Sequence, residues 1–302
     1  MRVSVYLPLI VSALLALGSP LMARRLSPVS ATRALSAAGA IAAVASTWGL
    51  ALLAITLAGR VAFVAEQAHW SRAVLLATDP VPSVVGIAAA VVLALALTGF
   101  VRVARARLEG LRDARHLCRG SATTEMIVLS EDTPLALAVP GQPGRIVVST
   151  GMLQALSGPQ RRALLAHERS HLRHHHHRYL CVVDLAATLN PLLSGIRHDV
   201  TYLVERWADE DASEDVQSRH LAAGALATAA IASTGRRSPA TPALAFENLG
   251  VAQRVAALHA PPLRPRPLIG AAAVAVAAIS TFAVIDATAA LTHLLDAARL
   301  AR

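Results

Sequence analysis

Residues 157–173 read Ser-Gly-Pro-Gln-Arg-Arg-Ala-Leu-Leu-Ala-His-Glu-Arg-Ser-His-Leu-Arg. Ser157 can accept an early amide, Gln160 completes a capping box, and Pro159 sits where a helix has no hydrogen bond to lose. The pattern predicts a helix starting here and running through Ala163, Leu164, Leu165 and Leu172. His167 and His171 are about one turn apart on it, so both imidazoles leave one face and can bind one metal ion. Glu168, beside the first histidine, is placed to take a proton from a water on that ion. Zinc suits neutral imidazole and brings such a water to a pKa of about 7.

Three protein ligands and one open position make a hydrolytic site. A second predicted helix follows the break at Asn190-Pro191 and includes Tyr202–Ala212, carrying Glu205-Arg206-Trp207-Ala208-Asp209. Glu205 can supply the third ligand. Asp209, one turn further along the same face, can hydrogen-bond a ligand imidazole and fix its tautomer. Glu210, Asp211, Glu214 and Asp215 are alternative ligands on spacing alone, and are read as a solvated face. His174 to His177 point in different directions on a helix and are read as a polar helix end.

Upstream, Met126–Leu129, Leu135–Val139 and the β-branched run Arg145–Ser149 predict a small antiparallel sheet, with a hairpin at Pro140–Gly144. Arg145, Ile146, Val147, Val148 and Ser149 then offer a strand edge to which an extended substrate could add. Residues 234–250 read as a loop and Val251–Leu258 as a short helix, ended by Pro261-Pro262.

Around this segment the chain is unusually apolar. Of 302 residues 55% are hydrophobic, and only 16% are charged, against about 25% in soluble domains. That excludes a disordered chain, and two cysteines exclude a disulfide scaffold. Residues 3–23, 34–59, 80–101 and 267–285 lack charge for long enough to cross a bilayer as helices. The first, closed by Arg24-Arg25, is read as an anchor with a stop-transfer flank rather than a cleaved leader. Asp286 falls near the outer end of the last.

All 28 basic residues are arginine and the net charge is +9. Eleven arginines flank one side of the four spans (Arg24, Arg25, Arg33, six between Arg102 and Arg119, Arg264 and Arg266), and five flank the other. The positive-inside rule puts residues 102–266 in the cytoplasm, both termini outside, and Cys118 and Cys181 in a reducing compartment. The basic residues gather at membrane flanks rather than on a recognition face, so direct nucleic-acid binding is not expected.

Three spans, Gly144-Arg145-Ile146-Val147-Val148-Ser149, Leu164–His171, Glu205–Asp209, Gln253–Leu258 and a fourth span together resemble the BlaR/MecR-type membrane metallopeptidases, the antirepressor family of β-lactam signalling. The resemblance covers nearly the whole chain, with its specific motifs in residues 145–212. It implies an α-helical membrane protein with four transmembrane helices and an α+β gluzincin-like metallopeptidase domain between spans three and four. Its parts are residues 1–101, with three spans, the cytoplasmic domain 102–266, and 267–302, with the fourth span and a short extracellular tail. His167, His171 and Glu205 would hold one Zn²⁺ per chain and Glu168 would be the catalytic base. The implied partners are the bilayer and a cytoplasmic protein substrate, a winged-helix DNA-binding repressor or the protease itself; a homodimer is compatible with all of this. The β-lactam receptors carry a large penicillin-binding domain after the fourth span. Here fewer than twenty residues follow it, so direct antibiotic sensing is not expected. The HtpX/CAAX-prenyl-protease group shares His-Glu-x-x-His and a downstream Glu-x-x-Ala-Asp, and is the closest alternative. A non-catalytic receptor or scaffold is the alternative of another class.

Overall fold

Uncharged runs of Ala, Leu and Val can satisfy their backbone in lipid only as helices. The computed structural model describes residues 4–78, 81–119, 125–234, 242–263 and 268–300, and within them four helices are long and apolar enough to cross a membrane. These are α1 (Leu7–Arg25), α2 (Pro28–Gly59), α5 (Ser83–Arg119) and α12 (Leu268–Leu300). Apolar side chains such as Leu17 and Val84 are 79% and 76% exposed on α1 and α5, a surface suited to lipid rather than water. The basic stretch Arg102–Arg119 continues α5 without a break.

The expected tail after residue 285 is instead more helix. α12 continues to Leu300, and its Ala287 and Leu291 pack with Leu52 and Leu53 of α2. Two short helices, α3 (Ala62–Gln67) and α4 (Arg72–Thr78), lie between the second and third spans, and the Ser71 amide donates to Ala298 O at 2.7 Å.

The sheet departs from its expected pairing. Strands β1 (Met126–Leu129), β2 (Ala136–Val139) and β3 (Arg145–Ser149) form in order β1-β3-β2. β2 and β3 make the antiparallel hairpin, with Ala136 opposite Val148, but β1 runs parallel to β3, with Met126 opposite Ile146. Every residue of β3 is buried, whereas β1 and β2 are half exposed. A strand apolar on both faces takes the centre of a sheet. The expected substrate edge at Arg145, Ile146, Val147, Val148 and Ser149 is therefore corrected: both its edges are already paired, and the free edges belong to β1 and β2.

After α6 (Thr150–Ala155), the Ser157–Gln160 capping box opens α7 (Gly158–Arg173), with both reciprocal bonds made. A left-handed residue, His175 (φ 53°), reverses the chain into α8 (His176–Leu189). A short 3₁₀ turn (Pro191–Leu193) then leads into α9 (Ser194–Asp215). α8 and α9 form a hairpin whose tip is seated among the spanning helices. Ile196, Val200 and Leu203 share one core with Leu15 of α1 and Leu35 and Ala38 of α2. At the tip, Asn190 Nδ2 donates to Ser12 Oγ at 2.9 Å and Ser46 Oγ at 3.0 Å. Ser12 lies thirteen residues from the Arg25 end of α1, about 20 Å along the helix. Irregular backbone is tolerated at such a depth when protein buries it and supplies its partners. Asp199 is held likewise, accepting from Ser19 Oγ at 2.6 Å.

Two more helices, α10 (Arg219–Thr234) and α11 (Pro242–His259), pack beside α9. The helix expected over Val251–Leu258 thus begins nine residues earlier, and residues 235–241 of the expected loop lie outside the described residues. Arg219 fastens α11, donating to Leu258 O at 2.9 Å and Ala257 O at 3.0 Å. Its guanidinium also pairs with Glu210, which binds Arg206 as well.

Candidate metal centre

α7 and α9 pack side by side, which brings residues 34 positions or more apart in sequence onto one point. His167 Nε2 and His171 Nε2 are 3.1 Å apart, as their one-turn spacing requires. Glu205 of α9 faces both, its carboxylate oxygens 3.5 Å from His167 Nε2 and 3.6 Å from His171 Nε2. Among the described residues these three form a group whose ligand atoms all lie within 4.8 Å of one another. A tetrahedral zinc with bonds of about 2.0–2.1 Å separates its ligand atoms by about 3.3–3.4 Å. The two imidazoles and the carboxylate, 3.1–3.6 Å apart with a different carboxylate oxygen toward each ring, stand close to that spacing, and with His167 deprotonated the donor set suits the ion.

Asp209 Oδ1 is 3.1 Å from His167 Nδ1, the ring nitrogen away from the shared point. With His167 Nδ1–H donating to Asp209, Nε2 keeps its lone pair for a metal. Glu168, only 8% exposed, is buried near β2, where the backbone of Ala138 favours its ionised carboxylate. β2, not β3, is the strand that packs on α7 with a free edge. Beside these groups a cavity of about 130 Å³ is lined by His167, Glu168, Glu205, Arg254 and the small apolar side chains Ala163, Ala222 and Ala225.

Electrostatics favour a cation here. Burial works against a charge on His167, but Asp209 and Glu205 outweigh it and carry its pKa up to about 10. Burial likewise opposes ionisation of Glu205 and Asp209, yet His167 and Arg254 hold both carboxyls below the usual range. Burial also lowers His171, to about 4, with the charges of His167 and Arg254 adding to it. Burial raises Glu168, opposed by His167, in the direction a general base needs.

Two residues of this centre were given no role by the sequence. Arg254 of α11 grips Asp209 with two bonds of 2.7 Å each, and its Nη1 lies 3.0 Å from Glu205 Oε2. The available signal was a single charge on an apolar helical run (Val251, Val255, Leu258), since a buried guanidinium needs carboxylates. His176 is wholly buried, with Nδ1 3.0 Å from His171 Nδ1. The polar-helix-end expectation for His174–His177 is corrected accordingly: His174 Nε2 also engages Asp211 Oδ2 at 2.9 Å, and His176 lies under α7. Nor are Glu210 and Asp211 a solvated face. The first is held by two arginines, and the second accepts from Ser170 Oγ at 2.7 Å. Glu214 and Asp215 are exposed, as expected.

Residues 102–238 match the profile of peptidase family M48. The match covers the sheet and all three candidate ligands, and it supports a metallopeptidase of a membrane type whose members are typically zinc-dependent. No curated protein and no solved structure matches the chain.

Proposed function

We propose that this chain is a membrane-embedded zinc endopeptidase, with His167, His171 and Glu205 as ligands and Glu168 as the catalytic base. One observation carries the proposal: ligand atoms of His167, His171 and Glu205, from two helices, lie within 4.8 Å of one another, and the buried Glu168 lines the same cavity. A zinc ion held there would polarise a peptide carbonyl and bring its water to a pKa of about 7. Glu168 takes the proton of the attacking water and returns it to the departing amide nitrogen. Asp209 orients His167, and Arg254 orients Asp209 and Glu205. The free edge of β2 aligns an extended substrate by backbone pairing, because its pattern of amides and carbonyls demands no particular sequence.

The eleven-to-five distribution of arginines supports a cytoplasmic catalytic side with both termini outside. The order of spans and motifs supports the BlaR/MecR type, hence cleavage of a cytoplasmic repressor or of the protease itself. The M48 match is equally consistent with an HtpX-like protease, and a specific feature favours that second reading. A cleft of about 1300 Å³ leads from Glu205 and Arg254 past Ala136 of β2 to Pro20, Ala23 and Arg24 at the inner end of α1. A polypeptide leaving the bilayer could enter it there. Glu168→Gln should keep its zinc and lose about a hundred- to ten-thousand-fold in peptide hydrolysis. Undiminished hydrolysis would remove Glu168 from the chemistry. Comparing protein N-termini in cells carrying wild type and Glu168→Gln separates the substrates: a new end in one soluble repressor, or ends beside the spans of membrane proteins.

A further inference from the structure

Among the described residues His176 is the most deeply enclosed titratable side chain outside the proposed ligand set, with 0% of its surface exposed. The left-handed turn at His175 places it at the start of α8, directly beneath the catalytic helix. Its Nδ1 is 3.0 Å from His171 Nδ1, while its Nε2 is buried without a hydrogen-bond partner among the described residues. The indole of Trp207 lies against the same imidazole, with ring centroids 4.8 Å apart and planes tilted by 56°.

Two facing nitrogens at hydrogen-bond distance need one proton between them. If His171 binds a metal through Nε2, that nitrogen offers its lone pair and the neutral ring carries its proton on Nδ1. His171 is then the donor, and His176 Nδ1 the acceptor. His176 in turn carries its own proton on Nε2, turned into the apolar interior beside Trp207. A charged His176 would present N–H where His171 needs an acceptor, so only the neutral ring in this tautomer fits.

We infer that His176 is a positioning residue that fixes the tautomer and ring orientation of the metal ligand His171, as Asp209 does for His167. Resting on the metallopeptidase proposal, this assigns one member of the His174–His177 tract a task that no neighbouring histidine shares. Imidazole supplies an acceptor without a negative charge, and Trp207 keeps the ring from turning away.

The test uses the full-length protein in detergent, with zinc affinity from chelator competition and the visible spectrum of the cobalt-substituted protein. His176→Phe keeps the ring volume against Trp207 but removes the acceptor. It should bind zinc about ten- to a hundred-fold more weakly and shift the cobalt bands, with the melting of the chelated protein unchanged. His176→Gln, which can again accept from His171, should recover most of the affinity. Wild-type affinity and spectrum in His176→Phe would overturn the assignment, as would a loss in His176→Gln as large as that in His176→Phe. Should His176→Phe not fold, His176→Gln decides alone: near-wild-type zinc binding sustains the role, and loss of the metal overturns it. Failure of the wild-type chain to bind zinc or cobalt would instead refute the metallopeptidase proposal.

Discussion

Arg254 brings a fixed positive charge to a place that, on the proposed function, also accepts a divalent cation. The two charges coexist because they use different oxygens. Arg254 takes both oxygens of Asp209 and one of Glu205, leaving Glu205 Oε1 toward His171. Arg254→Met should leave buried carboxylates unpaired, at a cost of about 3–5 kcal/mol. Bound zinc should restore part of it, so the melting temperature of this variant should respond to zinc more than that of the wild type. A pH dependence follows from the same residues in chelated protein. His167 is raised to about 10, so its contribution is complete below an unfolded value of about 6.5 and is lost as pH rises toward 10. His171 and His176, lowered to about 4 and about 3 by burial, act oppositely, and stability falls as pH drops below about 6.5. Glu168, raised by burial, offsets one of those protons just above its ordinary value. Stability of the chelated protein should therefore peak near pH 6.5, with the acid limb steeper. A melting-temperature series over pH 4–10 checks this, and a plateau from 5 to 9 would contradict it. The shared face of His167 and His171 was legible because helical periodicity turns sequence spacing into shared direction, and Glu205 and Asp209 were legible as one face of a second helix. Which member of a four-histidine run lies inside was not, because one left-handed residue at His175 decides it.

At the scale of elements, the capping box, the spanning helices and the break at Asn190-Pro191 could be read locally, since each is set by neighbours within a turn or two. Strand order could not. Three short apolar runs say nothing about which takes the middle, and the long-range burial of β3 moved the free edge to β2. The depth of the α8–α9 hairpin was equally hidden. Its Arg178, Asp184, Arg197 and Asp199 suggest a solvated pair, yet the tip carries an asparagine whose partners lie 144 and 178 residues away. Asn190→Leu should destabilise the protein by about 1–3 kcal/mol, because it removes two buried bonds and the one from Leu192 N to Asn190 Oδ1. Melting in detergent measures this, and a stability equal to wild type would show that the serines are content with their own helix carbonyls.

At the scale of the whole molecule, the division into spans and a separate catalytic domain is less sharp than composition suggests. α9 packs into α1 and α2 along its first half and carries Glu205 near its middle. A reporter fused at Ala240 should behave as cytoplasmic, and an external signal would refute the proposed orientation. Residues 102–266 expressed without their spans should neither stay soluble nor hold zinc, because Leu193, Ile196, Val200 and Leu203 would lose the surface that buries them. A soluble, zinc-loaded fragment would contradict that dependence.

The serine-lined seat for Asn190 also sets an order of events during biosynthesis. α1 and α2 leave the ribosome first and form the receptacle; α8 and α9 follow and fill it. Until that docking, Glu205 has no fixed place opposite His167 and His171. On the proposed function, a newly made chain that misses the membrane would lack an assembled metal centre, so any hydrolysis would wait for insertion.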